Sequence, residues 1–160
     1  MTQDRSRREL LGATGVAAAA AVVGGASGTA LASDEKRAKR IVPGSPSPAF
    51  SKATVFGGLV FPAGVVGRTP DGVMVTGDFD AQCRQTLINL KASVEAAGAT
   101  MENVLQCTCF LTDLADFATF NKVFMEFFPK DPPARSTVVV KDMVVQGAKI
   151  EIDCVACLPD

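Results

Sequence analysis

Val104-Leu105-Gln106-Cys107-Thr108-Cys109-Phe110-Leu111 is a run of apolar and β-compatible residues of strand length, and the residues on its C-terminal side decide the fold. Asp116 stands where a helix N-cap belongs, and Phe117, Phe120, Phe124, Phe127 and Phe128 come after it at i, i+3, i+7, i+10 and i+11. That spacing puts the rings on one side of a helix, whose first duty is to fill a core. Lys130-Asp131-Pro132-Pro133 ends the helix, because proline has no amide hydrogen to donate. Ser136 to Lys141 then resumes a β-rich pattern, so the segment is strand, helix, strand.

Outward from this unit the alternation continues. Phe50 to Phe56 and Leu59 to Val65 predict a hairpin turned at Gly57-Gly58, where two glycines can take the positive φ of a tight turn. Thr69-Pro70-Asp71-Gly72 is a turn signal, and Val73 to Val75 a short strand beyond it. Asp78 is placed as an N-cap for a helix with its stripe at Phe79, Cys83, Leu87, Leu90 and Val94, closing at Gly98. Ala148 to Ala156 is the last strand. The order predicts a two-layer α+β domain: a mixed sheet of five or six strands with two helices on one face. Val60, Cys107, Cys109, Val138 and Val140 suggest apolar side chains on both sheet faces. Two helices cover one face, so self-association is expected to cover the other.

The N-terminal part reads differently. Ser6-Arg7-Arg8-Glu9-Leu10-Leu11, an apolar small-residue run from Gly12 to Val23, and Ala30-Leu31-Ala32 have the layout of a signal peptide. The paired arginines resemble a twin-arginine export signal, so residues 1–32 are expected to be removed and the protein to be periplasmic or otherwise exported. The apolar run falls short of the roughly 20 residues a spanning helix needs, hence no stable membrane association is expected after cleavage. Residues 33–48, charged and then proline-rich, read as a solvated linker, leaving 49–160 as the folded domain.

That domain carries nine basic and thirteen acidic side chains, a balance that argues against nucleic acid as a partner. The chain has no His, Trp or Tyr, which removes Ser-His-Asp and Cys-His nucleophiles and every His-ligated metal site. Five cysteines include Cys107-Thr108-Cys109 and Cys154-Val155-Ala156-Cys157. Both pairs fall on predicted strands, and Cys154 and Cys157 are expected on opposite faces, so the thiols read as small buried hydrophobes and no metal site is expected. No glycine-rich phosphate loop is present, and no cofactor is implied.

Three groups of residues carry a family resemblance: Phe110-Leu111-Thr112-Asp113-Leu114-Ala115-Asp116-Phe117 with Asn121; Asp131-Pro132-Pro133-Ala134-Arg135-Ser136-Thr137; and Lys149-Ile150-Glu151-Ile152-Asp153. With Arg84 to Lys91 and Glu95-Ala96-Ala97-Gly98, they resemble the RidA/YjgF family of imine and enamine deaminases from about Phe50 to Ala156. The resemblance implies a chorismate-mutase-like fold assembled as a trimer, with sites in clefts between subunits. It also implies hydrolysis of 2-imino acids to 2-oxo acids and ammonia. Arg135 would bind the substrate carboxylate through its planar fork of donors. Glu151 would orient or activate water as the catalytic carboxylate, on the same strand face as Asp153. Asn121 would lie near the cleft.

Two departures from the family pattern bear on the site. Phe50 stands where many members carry tyrosine, and Ala63 where they carry the serine of S-G-Q; Gly64 is kept, so a backbone amide can still approach a ligand. A more apolar pocket is expected, favouring bulkier or more hydrophobic substrates. The alternative reading is a non-catalytic trimer that binds small carboxylates through Arg135.

Overall fold

The structure, a computed structural model, describes residues 38–44 and 47–159. The expected signal peptide at 1–32 lies outside the described residues. Seven strands form one mixed sheet: β1 (Arg40–Val42), β2 (Ala53–Phe56), β3 (Leu59–Pro62), β4 (Val65–Val66), β5 (Val104–Leu111), β6 (Ala134–Val139) and β7 (Ile150–Cys157). Their order is β1-β2-β3-β7-β5-β6, with β4 paired to β7; β5 and β6 run parallel and the other pairs antiparallel. Two helices, α1 (Phe79–Ala96) and α2 (Phe117–Phe127), pack on one face. This is the two-layer α+β architecture expected.

The details that differ have local causes. Arg40–Val42, inside the stretch read as linker, pairs with Ala53–Val55 because Val42 buries its side chain in the core while Arg40 donates to the Ala97 carbonyl at 3.1 Å. The strand expected to run unbroken to Val65 divides at Ala63-Gly64, so that Val65 and Val66 leave β3 and pair with Ile152 and Glu151. Val73 to Val75 forms no strand; the turn closes with a single bridge between Arg68 and Met74.

Asp78 caps α1 as expected, its carboxylate accepting from the Asp80 amide at 3.2 Å. Asp116 does not cap α2. Asp113 accepts from the Ala115 amide at 2.9 Å and starts a turn of 3-10 helix, Leu114–Asp116, which already holds Asp116 in helical conformation.

The core lies between the helices and one sheet face. Cys83, Leu87, Leu90, Val94, Phe120, Val123 and Phe124 meet Val55, Val60, Cys107, Cys109, Leu111, Ile150, Ile152 and Cys154 there. Gln82 ties the layers together from beneath: its amide nitrogen donates to the carbonyls of Val75 and Gly147, and its oxygen accepts from the Lys149 amide. A buried amide with three partners loses nothing by desolvation. The other sheet face is open. Phe56, Phe61 and Val138 stand 52%, 40% and 46% exposed on it, together with Ile41 and Leu59.

Candidate functional site

Arg135 lies on β6 beside Cys107 of β5, and so shares the helix-side face of the sheet with that buried cysteine. Its guanidinium carbon sits 4.7 Å from the Phe120 ring centre and 4.6 Å from that of Phe124. Between those two rings on α2, the Asn121 Oδ1 accepts from Arg135 Nη2 at 2.6 Å. One helical turn therefore supplies two aromatic faces and an acceptor, which fix the plane of the guanidinium without neutralising it. Among the described residues Arg135 has no carboxylate partner, so its charge is uncommitted. The aromatic stripe read as core does fill the core, and Phe120 and Phe124 additionally seat this arginine. The only sequence signal for that role is their i, i+4 spacing around Asn121.

Glu151 lies on the opposite face. It pairs with Phe110 on β5 and Val66 on β4, while its neighbours Ile150 and Ile152 point into the core. Asp153, paired with Thr108, shares its face as alternation predicts. Partial burial pushes the Glu151 carboxyl above its ordinary range, and the charge of Asp153 adds to the shift. Gly64 explains how the carboxylate is accommodated: a Cβ at that position would press into Glu151, within 3.1 Å of its Cδ and closer still to Oε1. The glycine is there because the carboxylate occupies the space of its missing side chain.

Gly64 also lines a shallow hollow of about 210 Å³ together with Phe50, Gly44, Lys52, Ala63, Val65 and Ser93. The candidate residues thus fall into two groups. Gly64 is shared by the hollow, which Phe50 also lines, and by Glu151, which packs against it; Arg135 and Asn121 touch neither. A single chain does not bring the two groups together. A larger hollow of about 550 Å³ at Met101, Glu102 and Glu126 to Asp131 contains none of them. Lys52, which sequence reasoning passed over, sits two residues from Phe50 at the bend just before β2 and lines the same hollow.

The cysteines behave as small hydrophobes. Burial pushes the thiols of Cys83, Cys107, Cys109 and Cys154 up to about 12, far from the thiolate form that reacts or binds metal. Cys154 is buried in the core whereas Cys157 points to the other face and donates to the Asn103 carbonyl. Among the described residues no group of three or more His, Cys, Asp or Glu side chains is arranged to hold a metal ion.

The profile of the family described as Endoribonuclease L-PSP matches residues 43–158. Reactive Intermediate Deaminase A of Arabidopsis thaliana is 38% identical over 125 residues, covering 75% of this chain and 66% of that one. A 2-iminobutanoate/2-iminopropanoate deaminase of Dermatophagoides farinae is 37% identical over 127 residues, covering 75% of this chain and 97% of its own length. Among solved structures, E. coli TdcF with bound serine superposes with a TM-score of 0.68 at 33% identity, covering 75% of this chain and 99% of that chain.

Proposed function

The chain belongs to the RidA/YjgF family, described as Endoribonuclease L-PSP, and from that premise we propose that it hydrolyses 2-imino acids and their enamine tautomers to 2-oxo acids and ammonia. The observation that carries the proposal is Arg135: a guanidinium fixed in plane by Phe120, Phe124 and Asn121, with no carboxylate partner among the described residues. A fork of fixed donors matches a planar carboxylate bidentately, and in a 2-imino acid the C=N carbon is the next atom along. The serine bound by TdcF is a small molecule of the same carboxylate-bearing kind.

Hydrolysis then requires water to attack the imine carbon. Glu151 takes a proton from that water as the C–O bond forms and the C=N electron pair moves to nitrogen. Glu151 returns that proton to the nitrogen to give the carbinolamine; as the hydroxyl proton then passes to the nitrogen the C–N bond breaks, releasing the 2-oxo acid and ammonia. A carboxyl raised by burial is a better base than an ordinary glutamate, since its proton affinity lies closer to neutral pH. The demand on it is modest, because imines are intrinsically prone to hydrolysis, and positioning supplies much of the rest.

Arg135 and Glu151 occupy opposite faces of one sheet. The reading therefore places the working site between copies of the chain, with Arg135 from one and Glu151 and the Phe50–Gly64 hollow from its neighbour. The open apolar face is the surface available for that assembly, and a homotrimer is the proposed state. Export through the N-terminal twin-arginine-type segment is part of the proposal.

Phe50 and Ala63 bring no hydroxyl to the hollow, and this favours a second reading, a trimer that binds 2-oxo acids through Arg135 without turnover. Ammonia and 2-oxo acid release from imines generated in situ separates the two. Release above the spontaneous rate, lost in Arg135→Ala, supports the deaminase. Arg135-dependent binding of 2-oxo acids with no release at any side chain supports the receptor.

A further inference from the structure

The hollow beside Gly64 has one charged residue in its lining. Phe50, Gly44, Ala63, Gly64, Val65 and Ser93 carry no charge, and Lys52 does. Lys52 stands directly across from Ala63, whose amide donates to the Lys52 carbonyl at 2.9 Å, so the lysine is one residue removed from the glycine against which Glu151 packs. The stem of Lys52 runs over Gly44, where Cδ lies 3.5 Å from the position a Cβ would take. Among the described residues the Lys52 ammonium makes no hydrogen bond or ion pair, whereas Arg84 is held by Asp80 and Glu126, and Lys91 by Glu95. Lys52 is thus the one charged side chain in the lining of this hollow.

We propose that Lys52 selects substrates carrying a second, distal anionic group, so that the preferred class is the 2-imino dicarboxylic acids rather than their apolar counterparts. This rests on the deaminase reading of the site. The substrate's 2-carboxylate meets the neighbouring copy's Arg135, the imine carbon lies over Gly64 near Glu151, and the side chain runs along Phe50 to end on Lys52. A hollow of about 210 Å³, below the roughly 300–1,000 Å³ of pockets for drug-sized ligands, suits a side chain of a few carbons. Glu151 and Asp153 repel a second carboxylate from their own side, which leaves the Lys52 end as its resting place. The loss of the Phe50 and Ala63 hydroxyls is thereby offset by a charge rather than by apolar surface alone.

The test is titration of the intact protein with two five-carbon product analogues, 2-oxoglutarate and 2-oxopentanoate, which differ by the distal carboxylate. The same titrations are run on Lys52→Met and Lys52→Glu. The expected result is that wild type binds the diacid roughly tenfold or more tighter. In Lys52→Met the ratio falls to about one, and in Lys52→Glu the diacid becomes the weaker ligand. Because the readout is a ratio within one preparation, a misfolded fraction scales both titrations and leaves it unchanged. Equal binding of the two acids by wild type, or a ratio that survives Lys52→Met, overturns the role of Lys52 while leaving the deaminase reading in place. Binding of neither acid overturns both.

Discussion

Arg135 and Glu151 stand on opposite faces of the same sheet. Arg135 is in register with Cys107, which points toward the helices, and Glu151 with Phe110, which points away. In the proposed function, chemistry that uses both is therefore expected to draw them from two copies of the chain.

In the proposed site Arg135 is expected to act as a fixed plane as well as a charge. Arg135→Lys keeps the charge and loses the fork and the stacking on Phe120 and Phe124. Its kcat/KM on imines is expected to fall by roughly tenfold or more, and Arg135→Ala by about a hundredfold or more. Both variants should melt below wild type, since a cation held over an aromatic face contributes about 0.5–2 kcal/mol. Steady-state kinetics and thermal melts check this; a lysine variant with wild-type kcat/KM contradicts it.

If Glu151 is the base of the proposed deaminase, it is expected to set the acid limb of the pH profile. As a base it must be ionised, and its carboxyl is raised above the ordinary 4.5 by burial first and Asp153 second. Activity is therefore expected to fall with decreasing pH through a midpoint above that value. Asp153→Asn should move the midpoint down, and Glu151→Gln should cost about 10²–10⁴ in kcat. The linkage has a definite sign. A carboxyl raised in the folded state favours folding below its unfolded pKa and loses that contribution as pH rises through the folded value. Near neutral pH, Glu151→Gln should thus raise the melting temperature while lowering activity. A lower melting temperature there contradicts the electrostatic account.

The open face is where assembly is expected. Phe61→Glu or Val138→Asp puts a new charge on the open face that association would desolvate. Either variant is predicted to shift the solution mass from trimer to monomer by light scattering, and to abolish turnover with the helix-side core intact. A wild type that is monomeric at micromolar concentration contradicts the prediction.

Processing at the N-terminus is checked by mass. Expression in a bacterial host with the twin-arginine route should yield a mature chain beginning at Ser33, and Arg7→Lys with Arg8→Lys should retain the precursor in the cytosol. A mature protein that keeps residues 1–32 contradicts cleavage.

Much of this arrangement was legible in the residues. The stripes of α1 and α2, the Asp78 cap and the alternation that puts Glu151 with Asp153 and separates Cys154 from Cys157 all follow from local periodicity. Arg40–Val42 was hidden because strand formation there depends on a single buried Val42 amid charged neighbours, a gain visible only once β2 is in place. The Asp113 cap was hidden because two acids near one helix start compete, and the 3-10 turn decides between them. Facing relations between distant strands are also beyond local pattern. Parity tells which neighbours of Glu151 share its side, but the opposition to Arg135 emerges only from the β5 register that links them. Lys52 was overlooked because a lone lysine in a loop reads as solvated until Ala63 is seen across from it.

Complementation between two inactive variants tests the shared site most directly. Arg135→Ala and Glu151→Gln chains are unfolded together, refolded as a one-to-one mixture, and assayed for ammonia release from imines. In a randomly mixed trimer about a quarter of the interfaces join an intact Arg135 to an intact Glu151, so activity is predicted to return to about a quarter of the wild-type value. A mixture that stays as inactive as its two components, although wild type refolded in the same way is active, would contradict a site built from both faces of the sheet.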